Sequence, residues 1–229
     1  MDYVTKSIAL TIPEPAIMVL DTVRNLPHVR QAICGGGYPR GLYMQQYMGL
    51  SPEMYDMDIF VDIPRAAFQE TFVALGRQFG NLIRHHKGTF REHEGLKILA
   101  EFPIPKDLQA SFSGLESIQV NMGDGLPKAN FSHFLRVANL GINQIAVKDP
   151  KTAVCTQDFL GGMETRTLAM NPRPDWEYND WKMTCQKVKS LLNERPEFKG
   201  WSTQVVEKPK VATSGDFWKT IADDKTPNR

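Results

Sequence analysis

Cysteine is scarce in this 229-residue chain: Cys34, Cys155 and Cys185 stand far apart, odd in number and with no Cys-x-x-Cys pair. That excludes a disulfide framework and a cysteine zinc site, and it points to a reducing, cytoplasmic compartment. An excess of one charge is missing too. Lysine and arginine number 27 against 26 acidic residues, a net charge of +1, so no overall basic field gathers nucleic acid and any such surface must be local. No apolar run approaches the roughly 20 residues that span a bilayer. Residues 1–10 carry Asp2 and Lys6 and do not read as a secretory signal, so no membrane partner is expected. Repeats and low-complexity tracts are also absent.

What is present is a mixed α/β pattern. Ala16, Val19, Leu20, Val23 and Leu26 follow helical spacing after Pro15. Residues 29–34 read as a strand, and Tyr55 to Asp62 as another, bounded by Ser51-Pro52 and Pro64. Pro64 opens a second helix with Phe68, Phe72, Leu75 and Phe79 on one face, a core stripe. Further strands are expected over 96–102, 117–121 and 142–148, with a short helix over 131–138 and a last one over 176–192. The fold class expected is α/β (α+β): a mixed twisted sheet of about five strands flanked by helices.

The chemistry concentrates in two places. Asp56 and Asp58 are two apart on a strand, so both carboxylates share one face about 7 Å apart while Met57 and Ile59 face the core. Two carboxylates this close repel unless a cation lies between them, and hard Mg²⁺ prefers oxygen ligands and keeps waters for substrate phosphates. Asp62 has the same parity but ends the strand, where a solvated cap is expected. Upstream, Gly35, Gly36 and Gly37 end a strand where the chain must turn tightly. Pro39 suits the first turn of a following helix, and backbone N–H groups there, with Arg40, suit an anion. A lone Asp-x-Asp is usually a solvated edge; a glycine turn, a basic residue and a paired-aspartate strand in series suit nucleotidyl transfer. The turn then holds a triphosphate and the aspartates hold Mg²⁺ or Mn²⁺.

Elsewhere the residues point to less. Arg84-His85-His86-Lys87 reads first as a solvated turn and second as a clamp on a triphosphate or RNA backbone. His28, His93 and His133 are isolated, and Asp124 reads as a turn residue. A head domain is expected over 1–170, a helical segment over 171–202, and an extended or partly disordered tail over 203–229, from which Phe217, Trp218 and Ile221 could dock.

The blocks Gly36-Gly37-Tyr38-Pro39-Arg40 and Asp56-Met57-Asp58-Ile59-Phe60 resemble the head domain of the polymerase-β-like nucleotidyltransferase superfamily. The similarity is greatest to tRNA CCA-adding enzymes, bacterial poly(A) polymerases and small phage-encoded members. Residues 139–146 (Asn-Leu-Gly-Ile-Asn-Gln-Ile-Ala), Asp158 to Glu164 and Arg166-Thr167-Leu168 are similar to later family segments, in the same order. The resemblance implies transfer of a nucleoside monophosphate from an NTP to a hydroxyl acceptor, with an RNA or tRNA 3′ end favoured and pyrophosphate released. It implies Asp56 and Asp58 as catalytic metal ligands, and Gly35, Gly36, Gly37, Arg40, Arg136 and Asn143 as nucleotide-binding residues.

Departures accompany it. Gly41 stands where relatives carry Asp, and Val137-Ala138-Asn139 replaces a charged sugar-recognising block. Gln119 stands where many have a third carboxylate, which Glu101 could supply instead, and no Glu-Asp-x-x-Arg block is found. They keep a second reading open: a nucleotidyltransferase-like protein that binds nucleotide, RNA or a host protein without turnover.

Overall fold

The computed structural model describes residues 5–80, 84–89, 96–104, 106, 108, 112, 115–124, 131–172 and 178–207. Phe217, Trp218, Ile221 and the tail beyond 207, like His93, lie outside them. In chain order the elements begin with β1 (Thr5–Ala9), α1 (Glu14–Arg24), β2 (Gln31–Cys34), α2 (Gly37–Met48), β3 (Asp56–Asp62) and α3 (Phe68–Phe79). They continue with β4 (Arg84–Thr89), β5 (Leu96–Pro103), β6 (Ser117–Gly123), α4 (Phe131–Arg136), β7 (Ile145–Asp149) and β8 (Thr152–Thr156). Last come α5 (Gln157–Thr165), β9 (Thr167–Ala169), α6 (Tyr178–Glu194) and β10 (Ser202–Gln204).

The architecture is mixed α+β, with sheets flanked by helices. A five-stranded sheet runs in the order β2-β3-β6-β5-β4. Only β3 and β6 are parallel within it; the other three pairs are antiparallel. A smaller sheet, β1-β8-β7, abuts it where Gly35 bridges Ala146, and β9 pairs with β10 in parallel.

The strand alternation places core and site on opposite faces. Met57, Ile59 and Val61 are buried while Asp56, Asp58, Phe60 and Asp62 alternate with them at intermediate exposure. The buried face continues through Ile118, Val120 and Met122 and through Ala100 and Phe102. It packs with Val19, Leu20 and Val23 of α1 and Leu75 and Phe79 of α3 in one cluster, the Phe79 and Phe102 rings 5.9 Å apart. Phe60, on the other face, meets Phe134 of α4 at 4.9 Å. Burying these apolar side chains contributes about 1.5–3 kcal/mol each.

One expectation is corrected. Residues 84–87 do not form a turn; they lie in β4, an edge strand with Arg84 in register with Glu101. No hydrophobic alternation marks this segment, because an edge strand can be stabilised by backbone pairing to its neighbour while its side chains stay polar. β1, β8, α5, β9 and β10 are further elements that the sequence pattern does not announce. Among the described residues no helix is long and apolar enough to cross a membrane.

Candidate nucleotide site

The glycine turn is built by close packing as much as by conformational freedom. Gly36 adopts φ 78° and caps α2, a backbone state that L side chains disfavour. At Gly35, a Cβ would meet the Phe134 ring at 2.5 Å. The Gly35 N–H donates to the Asp58 carbonyl (3.2 Å) and the Gly36 N–H to the Ile145 carbonyl (3.1 Å). Those two amides therefore splice the turn between β3 and β7 and are not aimed at a ligand. The amides of Gly37 and Tyr38, first in α2, have no acceptor within the helix, and Pro39 has no N–H to satisfy. The space above Gly41 is taken by Met54, whose sulfur would lie 2.5 Å from a Cβ there.

Arg40 leaves the first turn of α2 and donates from Nη1 to Asn143 Oδ1 at 2.5 Å. Asn143 sits on a 3-10 turn, Gly141–Asn143, against α5: a Cβ on Gly141 would lie 3.5 Å from the Asp158 carbonyl, and one on Gly162 3.5 Å from Ile142. The later segments singled out in the sequence thus meet each other and hold Asn143 against Arg40. On another side, the Arg40 guanidinium lies 5.2 Å from the Phe198 ring centroid. Phe198 is fully buried and meets Trp201 edge-on at 4.9 Å.

The acidic part comes from the sheet. Register aligns Asp58 with Gln119, and Gln119 with Glu101, so all three side chains issue from one row on one face. Gln119 donates from Nε2 to Asp56 Oδ2 at 3.0 Å. Glu101 lies one strand beyond Gln119, about 10 Å from Asp58 by strand spacing, and accepts from the Ser117 hydroxyl at 2.9 Å. Among the described residues no group of three His, Cys, Asp or Glu side chains is placed to hold a metal; Glu101 is not brought to the aspartate pair. Asp56 and Asp58 together still offer hard oxygen donors on a partly exposed face, a set that suits Mg²⁺ completed by substrate oxygens and water. Asp62 and Asp124 both accept from Nη2 of Arg30, at 2.7 and 2.6 Å, so the strand-end carboxylate is ion-paired and not merely solvated. Arg136 is exposed at the end of α4, its carbonyl accepting from Asn171 Nδ2 at 3.0 Å.

A second set of charges arrives from the C-terminal part of the chain and carried no motif. Burial lowers the Arg40 pKa, and Arg195 lowers it further; Glu197 is the strongest charge acting the other way, followed by Asp56 and Asp58. Crowding by protein atoms also lowers the Lys187 pKa even though that residue keeps exposed surface, with Arg40 adding to the effect and Asp58 and Asp56 opposing it. Lys187 projects beside the buried stripe Thr184, Val188 and Leu191 of α6. Arg195 stacks 4.2 Å over the Tyr55 ring centroid, just before β3, and donates to the Glu53 carbonyl at 3.0 Å. Glu197 Oε2 is buried without a hydrogen-bond partner among the described residues. The Cys34 thiol is pushed up by burial and then by Asp58, and so stays protonated.

No protein-family model matches the chain, and no curated protein does. Among solved structures, the chain is similar to "The complex structure of CCA-adding enzyme with CTP" at 15% identity and a TM-score of 0.38. That match covers 80% of this chain and 47% of the other. It is similar also to "Structure of tRNA-processing enzyme complex 3" at 17% identity and a TM-score of 0.34, covering 62% of this chain and 33% of the other. The chain spans less than half of either structure's length.

Proposed function

We propose that the protein is a nucleotidyltransferase that moves a nucleoside monophosphate from an NTP to a hydroxyl acceptor, an RNA or tRNA 3′ end in the first instance. The observation that carries this reading is the convergence of Arg40, braced by Asn143, with the same-face pair Asp56 and Asp58. In this reading Arg40 and the first amides of α2 bind the β- and γ-phosphates, and Lys187 adds a second cation nearby. Asp56 and Asp58 hold Mg²⁺ or Mn²⁺, which when bound neutralises triphosphate charge and orients the α-phosphate. Asn143 keeps the guanidinium directed across the site. The acceptor oxygen bonds to the α-phosphorus, the bond to the bridging oxygen breaks, pyrophosphate leaves, and the acceptor proton passes to solvent. In this reading Arg136, exposed at the end of α4, binds the nucleotide. The reading includes a small phage-type member of the superfamily acting in the cytoplasm, a host's cytoplasm if the chain is phage-encoded.

The Gln119–Asp56 hydrogen bond favours a second reading, because a neutral amide stands in the row where a third carboxylate would strengthen metal binding. Under it, the same turn binds nucleotide, RNA or a host protein without turnover. The two readings part in one assay: incorporation of each labelled ribonucleoside triphosphate into total RNA, tRNA and protein with Mg²⁺ or Mn²⁺. Incorporation that disappears with Asp56→Asn supports transfer; triphosphate binding with no incorporation into any acceptor supports the second reading.

A further inference from the structure

The residues around Arg40 come from two distant parts of the chain. Asn143 binds one edge of the guanidinium. A second support is the 3-10 turn Pro196–Phe198, which follows α6. Its position is set by burial: Phe198 has no exposed surface and is clasped by Trp201. Pro196 at the turn's first position restricts the backbone, and Arg195 anchors the segment to the chain just before β3 through Tyr55 and Glu53. Glu197, between them, is the strongest attractive charge on Arg40, and its buried Oε2 takes no hydrogen bond among the described residues. A buried carboxylate oxygen without a donor is uncommon and costly unless a nearby cation balances it.

We infer that the Pro196–Phe198 turn is a positioning element for Arg40: the Phe198 ring backs the guanidinium and the Glu197 carboxylate balances its charge. Together with Asn143 they hold it over the site before any nucleotide arrives. This rests on the nucleotidyl-transfer reading for its consequence, namely that the turn sets affinity for the triphosphate. An unsupported arginine has several rotatable bonds to fix on binding, whereas one already held loses less freedom.

The test uses the full chain and two readouts. The first needs no nucleotide: the Arg40 Nε–Hε NMR signal, assigned by its loss in Arg40→Lys, should be ring-shifted and slow to exchange. Phe198→Leu should move it into the envelope of exposed arginines; an unmoved signal overturns the inference. The second is calorimetric binding of inorganic triphosphate with Mg²⁺. Phe198→Leu should weaken it about tenfold, the scale of a lost cation–π contact, and Glu197→Gln about threefold, as for a modest ion pair. Both losses should vanish in an Arg40→Ala background. Equal losses in both backgrounds would mean that the turn acts only on the fold, and would overturn the inference. Should Phe198→Leu fail to fold, Glu197→Gln decides, and unaltered binding and signal sink the idea. A wild type that binds no triphosphate overturns the nucleotide reading, and the NMR signal then decides positioning alone.

Discussion

The two ends of β3 carry the same residue on the same face and put it to different use. At the far end Asp62 is locked to Arg30 at 2.7 Å, and Arg30 also grips Asp124 at 2.6 Å. At the near end Asp56 takes a neutral amide from Gln119, and the nearest helix start brings Arg40 into the field of both Asp56 and Asp58. A carboxylate matched by a guanidinium at contact distance is already satisfied and serves the fold. Asp56 accepts from a neutral amide instead, which leaves its charge to act on Arg40. Residue type and strand parity are shared; the difference lies in which neighbours the fold supplies.

The sharpest way to break this comparison is to neutralise each end in turn. Asp56→Asn and Asp58→Asn should each lower nucleotide transfer at least a hundredfold, roughly the scale of losing a key electrostatic group, with unchanged circular dichroism. Asp62→Asn should leave transfer within about twofold while removing up to about 1 kcal/mol of stability, read as a small drop in melting temperature. Equal activity losses at both ends would erase the distinction. Next in size, Gln119→Glu should tighten Mn²⁺ binding by about tenfold in calorimetry, since added ligand charge raises affinity. No change would show that the Gln119 row lies outside the metal's reach.

Gly36→Ala tests the turn that joins the two walls. Its φ of 78° costs a residue with a Cβ about 1–2 kcal/mol, so the melting temperature should fall by about 4 °C. An unshifted melt would contradict the left-handed turn. The smallest effect concerns acid. Hydrogen bonds from Arg30 and then from the Arg65 N–H hold the Asp124 carboxyl below the usual range. A group depressed in the folded state stabilises above its unfolded pKa of about 3.9 and loses that contribution as pH falls through the folded value. Asp124→Asn should therefore flatten the stability–pH curve only below about pH 4, as measured by urea unfolding across pH.

Much of the sheet was legible because its signals are local. The alternation in residues 55–62 predicts which carboxylates share a face, and β3 has that face pattern. The spacing of Ala16, Val19, Leu20 and Val23 predicts α1, where all four are buried. The strand over 84–89 was not legible, since polar residues give no period and only pairing with β5 makes them a strand. Glu101 could be put on a strand from its neighbours, but its distance from Asp58 depends on β6 lying between them, a fact of strand order. The glycine run was legible as a turn. That two of its amides are spent follows from the pairing with β3 at Asp58 and from where β7 returns at Ile145.

By itself, the sequence determined which short segments could turn, alternate or bury a stripe, because those properties depend on residues a few positions apart. It therefore placed Asp56 with Asp58, and the glycine turn just ahead of Arg40. The tertiary structure alone decided that Lys187, Arg195, Glu197 and Phe198 close around Arg40, more than 140 positions away in the chain. Those contacts arise from burial of α6 and Phe198 against the rest of the protein. Such burial depends on the whole packed surface, and no local pattern encodes it.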